Sequence, residues 1–271
     1  MDEKINLGIV IPTLNSERFL EHTLISLKVL VCAGARVLIV DSDSTDQTVR
    51  IAERHGVEVL REPGGNMYRA INRGIESLEN EWVTYINSDD LLHGDSIINA
   101  LSNLGPDVDL IYGNVDYIDE FGRYLHGWRS PDAVKVKDYL RVYNPFPQQG
   151  TCFRKIVWRQ LSGFDEKYRY SPDRDFFTRI CLRGFRVGKY CEGRIAGFRL
   201  HGDQLSQTVN SLMDEECEAM SSEWEGESPS SLRLNFLKCS FRFRNIDSYI
   251  IRILRRYQCS GRFSLSKSIE D

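Results

Sequence analysis

Residues 82–90 read Trp-Val-Thr-Tyr-Ile-Asn-Ser-Asp-Asp, an apolar run that ends abruptly in four polar side chains. The β-branched and aromatic residues of the run predict a buried strand. The polar residues then fall beyond the carboxyl end of that strand, where an open α/β sheet binds its ligands. Adjacent carboxylates repel each other, and a hard cation such as Mg²⁺ or Mn²⁺ relieves that repulsion. The stretch therefore predicts a metal-assisted site, with a solvated acidic turn as the alternative.

The sequence on both sides of this stretch alternates strand and helix patterns. Further strands are predicted from apolar runs at residues 7–11, 36–40, 57–60 and 109–118. One intervening helix is expected to start near Thr45 or Asp46, which are good N-caps, and to stop at Gly56. Such alternation predicts a mostly parallel sheet with helices on both faces. The polar residues that follow three of the strands should then meet at one sheet edge.

Composition narrows the class of protein. The 271 residues carry a formal net charge of −4, which gives no case for nucleic-acid binding. Seven cysteines are scattered without a C-x-x-C pair, which argues against a zinc site or a disulfide framework. The amino terminus lacks a signal-type segment, and no apolar run approaches the ~20 residues that span a bilayer. We therefore expect a cytoplasmic protein.

Two more polar segments follow predicted strands. Residues 12–17, Pro-Thr-Leu-Asn-Ser-Glu, open a helix whose free N–H groups favour a phosphate, although capping alone would also explain them. Residues 41–46, Asp-Ser-Asp-Ser-Thr-Asp, place three carboxylates and three hydroxyls together, which is more than a helix cap needs. A carboxylate there can accept from a uracil imide or a ribose hydroxyl. The alternative is an over-capped turn.

Two single residues in the second half could take part in chemistry. Asp173 stands at a predicted helix start, with Ser171 as a possible cap. Its carboxylate either stabilises the helix dipole or acts as a general base, and spacing alone favours the dipole. His201 ends an apolar run, where a lone histidine is more often structural than a metal ligand.

The remaining segments leave alternatives open. Residues 119–150 are rich in aromatic side chains and suit either a substrate-facing lid or ordinary loop packing, with Tyr124, Trp128, Tyr139, Tyr143 and Phe146 among them. Residues 213–227 are acidic, and residues 232–262 interleave apolar with basic residues. A basic amphipathic helix of this kind can lie on an anionic membrane or dock on the preceding domain.

Taken together, these motifs resemble the family 2 inverting glycosyltransferases of the GT-A fold. The resemblance covers roughly residues 5–205 and is carried, in order, by residues 10–15, 40–46, 68–75, 86–90 and 162–173. It implies an α/β GT-A domain over residues 1–205, followed by a helical tail over residues 206–271. Asn87 stands where the family's Asp-x-Asp metal motif commonly has its first aspartate.

The resemblance also implies roles for individual residues. Asp173 would be the general base, and Asp89 and Asp90 would hold Mn²⁺ or Mg²⁺, with His201 as a further metal ligand. The residues implied to bind the nucleotide are Pro12, Thr13, Asn15, Glu17, Asp41, Asp43, Asn72, Ser88 and Asp89. Asp41 would contact the base.

The implied reaction moves a sugar, with inversion, from a nucleoside diphosphate sugar, UDP-linked, to a hydroxyl of a saccharide or lipid-linked acceptor. The setting would be polysaccharide or glycolipid synthesis of the bacterial exopolysaccharide and colanic-acid type, in the cytoplasm or peripherally at the inner face of the membrane. Two other functions stay open. A sugar nucleotidyltransferase would need a Gly-rich basic loop after the first strand, which residues 12–15 are not. A non-catalytic GT-A partner subunit would bind neither UDP nor metal.

Overall fold

A computed structural model of the chain describes residues 4–103, 106–133, 146–202, 204, 210–223 and 230–259. Its strands are β1 Leu7–Thr13, β2 Arg36–Asp41, β3 Glu58–Arg61, β4 Trp82–Tyr85, β5 Leu91–Leu92, β6 Leu110–Ile118, β7 Tyr124–Trp128, β8 Cys152–Arg154 and β9 Val187–Arg199. Its helices are α1 Leu20–Ser26, α2 Lys28–Cys32, α3 Thr48–Arg54, α4 Met67–Ser77, α5 Gly94–Asn103, α6 Lys155–Gln160, α7 Pro172–Leu182, α8 Asn210–Glu223, α9 Ser231–Arg244 and α10 Ile246–Cys259.

The strands of the described residues form one sheet in the order β3-β2-β1-β4-β8-β6-β9-β5, and β7 pairs with β6. Strands β1 to β4 are parallel, and β6 and β9 are parallel to each other. Strand β8 runs antiparallel between β4 and β6, so the sheet is mostly parallel with a few reversed strands. This α/β architecture confirms the predicted fold class, and helices follow the sheet as the predicted tail requires.

The sheet has a hydrophobic core on each face, because successive side chains along its strands point to opposite faces. In β1, Ile9 and Ile11 pack in one buried cluster, whereas Val10 between them packs in the other. Helix α4 lies on the Val10 face, and Gly74 allows it to come close. A Cβ at Gly74 would stand 2.6 Å from Val10 Cγ1, which is closer than atoms can pack. The glycine therefore fixes how near α4 lies to the strand ends that carry polar residues.

Helix boundaries differ from the predictions at two places. The helix expected from Thr45 or Asp46 begins at Thr48, because Asp46 Oδ1 turns forward along the chain and accepts hydrogen bonds from the Thr48 amide and hydroxyl. The basic tail forms two helices, α9 and α10, instead of one. Asn245 ends the first of them, and residues after 259 lie outside the described part of the chain.

The tail docks on the sheet domain, which is one of the two arrangements expected from the sequence. Phe241 packs edge-on against Trp128 at a ring distance of 4.9 Å, with Leu237 beside it. Asn245 Oδ1 accepts the Arg129 amide at 2.7 Å, and Arg129 also forms a double ion pair with Asp247. Of the described helices, none is both long and apolar enough to cross a bilayer.

Candidate active site

The carboxyl ends of β1, β2 and β4 meet at one edge of the sheet. Thr13 is in register with Asp41, and its hydroxyl donates to Asp41 Oδ1 at 2.8 Å. Val10 in β1 is in register with Tyr85, the last residue of β4. The predicted convergence of polar strand ends is therefore confirmed.

The two polar segments after β1 and β2 interlock through hydrogen bonds. The backbone N–H of Asn15 donates to Ser44 Oγ at 2.9 Å, and the side-chain Oδ1 of Asn15 accepts from the backbone N–H of Thr45 at 2.9 Å. The Glu17 amide donates to Asp46 Oδ2 at 3.0 Å. Much of the polar content of residues 41–46 therefore holds the first loop in place.

The loop after β4 is held from inside the protein. The Thr23 hydroxyl lies 2.8 Å from both the Ser88 and the Asp90 carbonyl oxygens. The Asp90 carboxylate points inward, fully buried, and accepts from Gln149 Nε2 and from the Arg199 amide, each at 2.9 Å. Burial, followed by the nearby Asp89 charge, raises the pKa of Asp90. In this structure the Asp90 carboxylate anchors the loop, so that of the two aspartates expected to hold a cation Asp89 faces the cavity.

Asp89 faces the opposite way, into a cavity, and meets His201 there. Asp89 Oδ2 lies 2.8 Å from His201 Nε2. The His201 ring rests against Phe19 at a ring distance of 4.7 Å. Gln204 closes the turn that carries His201, since its side chain bonds to the His201 amide and to the Arg199 carbonyl. Arg199 in turn donates Nε to the Asp89 carbonyl at 2.6 Å.

This pair suits a divalent cation. One carboxylate oxygen and one imidazole nitrogen face the same cavity, and Asn87 Oδ1 at its wall is buried with no hydrogen-bond partner among the described residues. Among the described residues no group of three or more His, Cys, Asp or Glu side chains gathers. The protein would therefore supply only part of a coordination sphere, which is the usual arrangement where substrate phosphates and water complete it.

Asp173 lies at the start of α7, with Ser171 at the N-cap. Ser171 makes no side-chain capping bond. Burial raises the pKa of Asp173, and hydrogen bonds from the Arg174 amide and the Tyr68 hydroxyl offset part of that shift. Tyr68 itself is buried, and burial followed by the Asp173 charge raises its pKa well above the usual value. The Tyr68 hydroxyl is thus a donor aimed at a carboxylate on the cavity wall.

The backbone leading into α7 is held by a residue from the tail. Glu216 of α8 accepts the amides of Arg169, Tyr170 and Ser171 at 2.7, 2.9 and 3.0 Å. Three N–H groups that precede the helix are thereby satisfied by one carboxyl side chain, and hydrogen bonds from N–H groups to a carboxylate are among the stronger kind. Helix α8 therefore helps to place Asp173, although it lies beyond the expected domain boundary at residue 205.

The side chains of Tyr68, Asp89, Asp173 and His201 line one cavity of about 620 Å³. This volume falls within the range of small-molecule and cofactor sites. Of the residues expected from the sequence to form the site, seven line it: Pro12, Thr13, Asn15, Ser88, Asp89, Asp173 and His201. The cavity thus joins the Asp89–His201 pair and the Tyr68–Asp173 pair.

Five expected site residues are not among the described residues that line the cavity: Glu17, Asp41, Asp43, Asn72 and Asp90. The Asp41 carboxylate is buried and accepts from Thr13 and Ser44, and Glu17 Oε2 accepts the Gln47 amide at 2.9 Å. Asp43 is exposed in a turn with φ of 63°.

Asn72 has a packing role in this structure. Its side-chain oxygen accepts from Trp158 Nε1 and the Phe164 amide, and its Nδ2 donates to the Phe164 carbonyl. Helix α4 is thereby tied to the segment between α6 and α7, which leads to Asp173. Asn72 thus supports the site indirectly.

Sequence reasoning missed several lining residues: Tyr68, Tyr85, Gln148, Gln149, Tyr170, Gln204 and Met213. In the sequence, Tyr68 stands out only as part of the family resemblance. Gln148 donates to the Tyr85 carbonyl at 2.9 Å, and Gln149 to Asp90. The sequence points only weakly to Gln148 and Gln149. Both lie in residues 119–150, a segment that suits a substrate-facing lid and ordinary loop packing equally well. Phe146 packs in the core against Tyr112 and Phe177, whereas Tyr139 and Tyr143 fall outside the described residues.

The fold and the cavity at its strand ends together define the GT-A class of glycosyltransferases. The profile of Glycosyl transferase family 2 matches residues 8–174, and the chain belongs to this family. The match spans β1, the loop after β4 and the start of α7, so it contains both Asp89 and Asp173.

Two curated relatives show moderate similarity. A PGL/p-HBAD biosynthesis glycosyltransferase of Mycobacterium bovis is 26% identical over 211 residues, which cover 74% of this chain and 79% of that protein. An uncharacterized glycosyltransferase of Rickettsia bellii is 25% identical over 229 residues, or 79% of this chain. The chain spans only 32% of the length of the Rickettsia protein.

Solved structures share the fold. The mannosyltransferase PcManGT from Pyrobaculum calidifontis, in complex with GDP-Man and Mn²⁺, superposes with a TM-score of 0.63 at 16% identity, covering 97% of this chain and 77% of that chain. S. aureus TarS in complex with UDP-GlcNAc gives a TM-score of 0.63 at 16% identity, covering 82% of this chain and 68% of that chain. At this identity the likeness concerns the fold.

Proposed function

We propose that this protein transfers a sugar from a nucleoside diphosphate sugar to an acceptor hydroxyl, with inversion at the anomeric carbon. The observation that carries the proposal is that one cavity contains both Asp89–His201 and Asp173. The Asp89–His201 pair is suited to binding a diphosphate with its cation, and Asp173 is suited to accepting the proton of an attacking hydroxyl. A cavity of about 620 Å³ has room for both substrates' reacting ends.

The donor end of the cavity consists of the β1 loop and the loop after β4. Pro12, Thr13, Asn15 and Ser88 would bind the nucleotide, with Ser88 positioned by its hydrogen bond to Ser16 at 2.8 Å. Asp41 and Asp43 stay predicted base-recognition residues, and Glu17 and Asn72 would act by holding the loops that line the pocket. We propose a UDP-linked donor. PcManGT, which was solved with GDP-Man, shows that the fold also accommodates guanine nucleotides, so the nucleotide needs a direct test.

Asp89 and His201 would hold the divalent cation, with Asp90 as the residue that fixes the loop. When bound, the cation would neutralise the charge of the departing diphosphate, a Lewis-acid contribution. Mg²⁺ prefers oxygen ligands, so the imidazole in this pair favours Mn²⁺. PcManGT was solved with Mn²⁺, which supports the same choice.

Asp173 would remove the proton from the acceptor hydroxyl as its oxygen attacks the anomeric carbon. Because burial raises the pKa of Asp173, its carboxylate is a stronger base than a solvated aspartate. The Tyr68 hydroxyl donates to this carboxylate and keeps it oriented. One base on the face opposite the leaving group gives inversion, and such assistance typically contributes about 10²–10⁴-fold in rate.

The acceptor would be a saccharide or a lipid-linked saccharide of polysaccharide or glycolipid synthesis. The Mycobacterium bovis relative named for PGL/p-HBAD biosynthesis supports this setting. We place the reaction in the cytoplasm, since the seven cysteines are scattered along the sequence without the spacing of a disulfide framework.

The deciding experiment is calorimetric binding of UDP-sugars and GDP-sugars with Mn²⁺ and with EDTA, followed by detection of nucleoside diphosphate release with candidate acceptors. Release that requires both Mn²⁺ and an acceptor supports the proposal. Binding of neither nucleotide would favour a non-catalytic GT-A subunit, and release of inorganic diphosphate from a nucleoside triphosphate would favour a nucleotidyltransferase.

A further inference from the structure

Helices α9 and α10 carry two apolar faces, and within the described part of the chain one of them touches the domain. The inner face contains Leu237 and Phe241, both buried, with Trp128 packed against them. Asn245 continues this face at the break between the helices and is buried by its bonds to Arg129. This face accounts for the docking of the tail.

The second face lies on the opposite side, and we call it the outer stripe. Its residues recur every three or four positions: Leu232, Phe236, Cys239, Phe243, Ile246, Ile250 and Ile253. At 3.6 residues per turn the first four of these positions share one side of α9, about half a turn from Leu237 and Phe241, and the last three share one side of α10. Leu232 is 83% exposed, Phe236 70% and Phe243 79%. A row of exposed leucine, phenylalanine and isoleucine side chains is not ordinary surface scatter and marks an interaction surface.

The charges beside the outer stripe are positive. Arg233 lies on one flank, and Lys238 and Arg242 lie on the other, all three exposed. Residues 230–259 contain seven basic residues, namely Arg233, Lys238, Arg242, Arg244, Arg252, Arg255 and Arg256. Their single acidic residue, Asp247, forms an ion pair with Arg129. The segment is therefore strongly cationic, although the whole chain is acidic.

We propose that the outer stripe lies on an anionic membrane surface. An apolar face flanked by cations is the arrangement that inserts side chains at the headgroup boundary while basic residues pair with lipid phosphates. A second copy of the chain fits less well. A symmetric dimer through this face would bring the cationic flanks of both copies together.

The proposal does not depend on catalysis, because it rests on the outer stripe alone. It adds to the proposed function a way to hold the enzyme where a lipid-linked acceptor resides. Its test needs no donor and no metal, so failure of the membrane proposal and failure of the transferase proposal are separately visible.

The test is co-sedimentation of the full-length protein with vesicles of phosphatidylglycerol mixed with phosphatidylcholine, compared with vesicles of phosphatidylcholine alone. We expect binding to the anionic vesicles and little binding to the neutral ones. The triple variant Arg233→Gln, Lys238→Gln, Arg242→Gln should lose affinity on the order of 100-fold, because each basic residue near an anionic surface contributes about fivefold. The double variant Phe236→Gln, Phe243→Gln should lose most binding as well.

The matched control is Phe121→Gln, which removes an equally exposed phenylalanine, 70% exposed, outside the tail. It should bind vesicles like the wild type. Circular dichroism and gel filtration of every variant verify folding and oligomeric state, and the triple variant keeps the test valid if the double variant misfolds. Absence of wild-type binding to anionic vesicles overturns the proposal, and so does equal binding by all variants. Dimerisation that the double variant abolishes, without vesicle binding, would assign the outer stripe to a second copy instead.

Discussion

Asp89 Oδ2 lies 2.8 Å from His201 Nε2, although 112 positions separate the two residues in the chain. Asp89 follows β4 and His201 follows β9, two strands that are not neighbours in the sheet. The turn after β9 therefore brings an imidazole nitrogen to a carboxylate at the edge where the nucleotide would bind. The proposed cation site would thus depend on both halves of the domain.

Replacing His201 should uncouple nucleotide binding from the metal. In the wild type we expect Mn²⁺ to strengthen UDP binding, and in His201→Gln most of this gain should disappear, roughly 10-fold or more in affinity, since a ligand is lost. His55→Gln, which removes a histidine paired with Glu21 outside the cavity, is the matched control. Calorimetric titration with Mn²⁺ and with EDTA checks this. An equal Mn²⁺ effect in both variants would contradict the ligand role.

Asp173→Asn should abolish most transfer while the protein still folds and binds UDP. The amide keeps the size of the side chain but cannot accept a proton, so the rate should fall by roughly 10²-fold or more. Asp175→Asn is the control, because its carboxylate pairs with Arg179 at 2.7 Å and is not among the described lining residues. It should lower the melting temperature and leave transfer largely intact. Near wild-type transfer by Asp173→Asn would show that Asp173 is only a helix-start residue.

Tyr68→Phe should move the acid side of the pH–rate profile to higher pH. A base must be ionised, so the rate rises as pH rises through the pKa of Asp173. Burial raises that pKa above the usual value of about 3.9, and the Tyr68 hydrogen bond lowers it. Loss of the Tyr68 hydroxyl removes the hydrogen bond that lowers the pKa of Asp173, so Asp173 stays protonated to a higher pH.

Tyr112→Phe is the control for this measurement, because the Tyr112 hydroxyl bonds to the Pro131 carbonyl at 2.6 Å, away from Asp173. Its pH–rate profile should match the wild type. A shift to lower pH in Tyr68→Phe would contradict the assignment of Tyr68 as the donor to Asp173.

Glu216→Ala should lower the rate of sugar transfer because it displaces Asp173. The variant leaves the amides of residues 169–171 without their carboxylate partner, and the start of α7 should shift or loosen. Because misplacing a reacting group by about 1 Å can cost 10²-fold, we expect a rate loss of roughly 10- to 100-fold with UDP affinity preserved. Glu215→Ala, at an exposed neighbouring position, should behave like the wild type. Equal rates for both variants would remove Glu216 from the site.

The fold was largely predictable because short-range patterns dominate it. Buried runs such as residues 36–40 predicted strands, and their alternation with helices predicted a mostly parallel sheet. The convergence of Thr13 with Asp41 follows from that topology alone. The late start of α3 was not predictable, since Asp46 bonds both forward to Thr48 and across to Glu17.

The candidate site was predictable only where its residues follow strand ends. Adjacent carboxylates look alike in a sequence, and nothing local shows that Asp89 faces the cavity while Asp90 bonds to Arg199. The contribution of Glu216 depends on a contact 45 to 47 positions away in the chain. Its neighbourhood reads simply as an acidic stretch.

The tail illustrates a different limit. Its 3.6-residue period was visible, but residues of both faces share that period. Phe241 and Phe243 look equivalent in the sequence, yet the first packs on Trp128 and the second is 79% exposed. Only the position of the domain distinguishes them.

The loop that carries Asp89 owes its shape to other residues. Thr23, Gln149 and Arg199 hold its backbone and the Asp90 side chain, while the Asp89 carboxylate itself points outward. A change of Asp89 to asparagine should therefore weaken the proposed cation site and leave the loop in place. A change of Asp90 should instead loosen the loop, because its carboxylate accepts from Gln149 and Arg199. Two adjacent aspartates thus separate the chemistry of this edge from its stability.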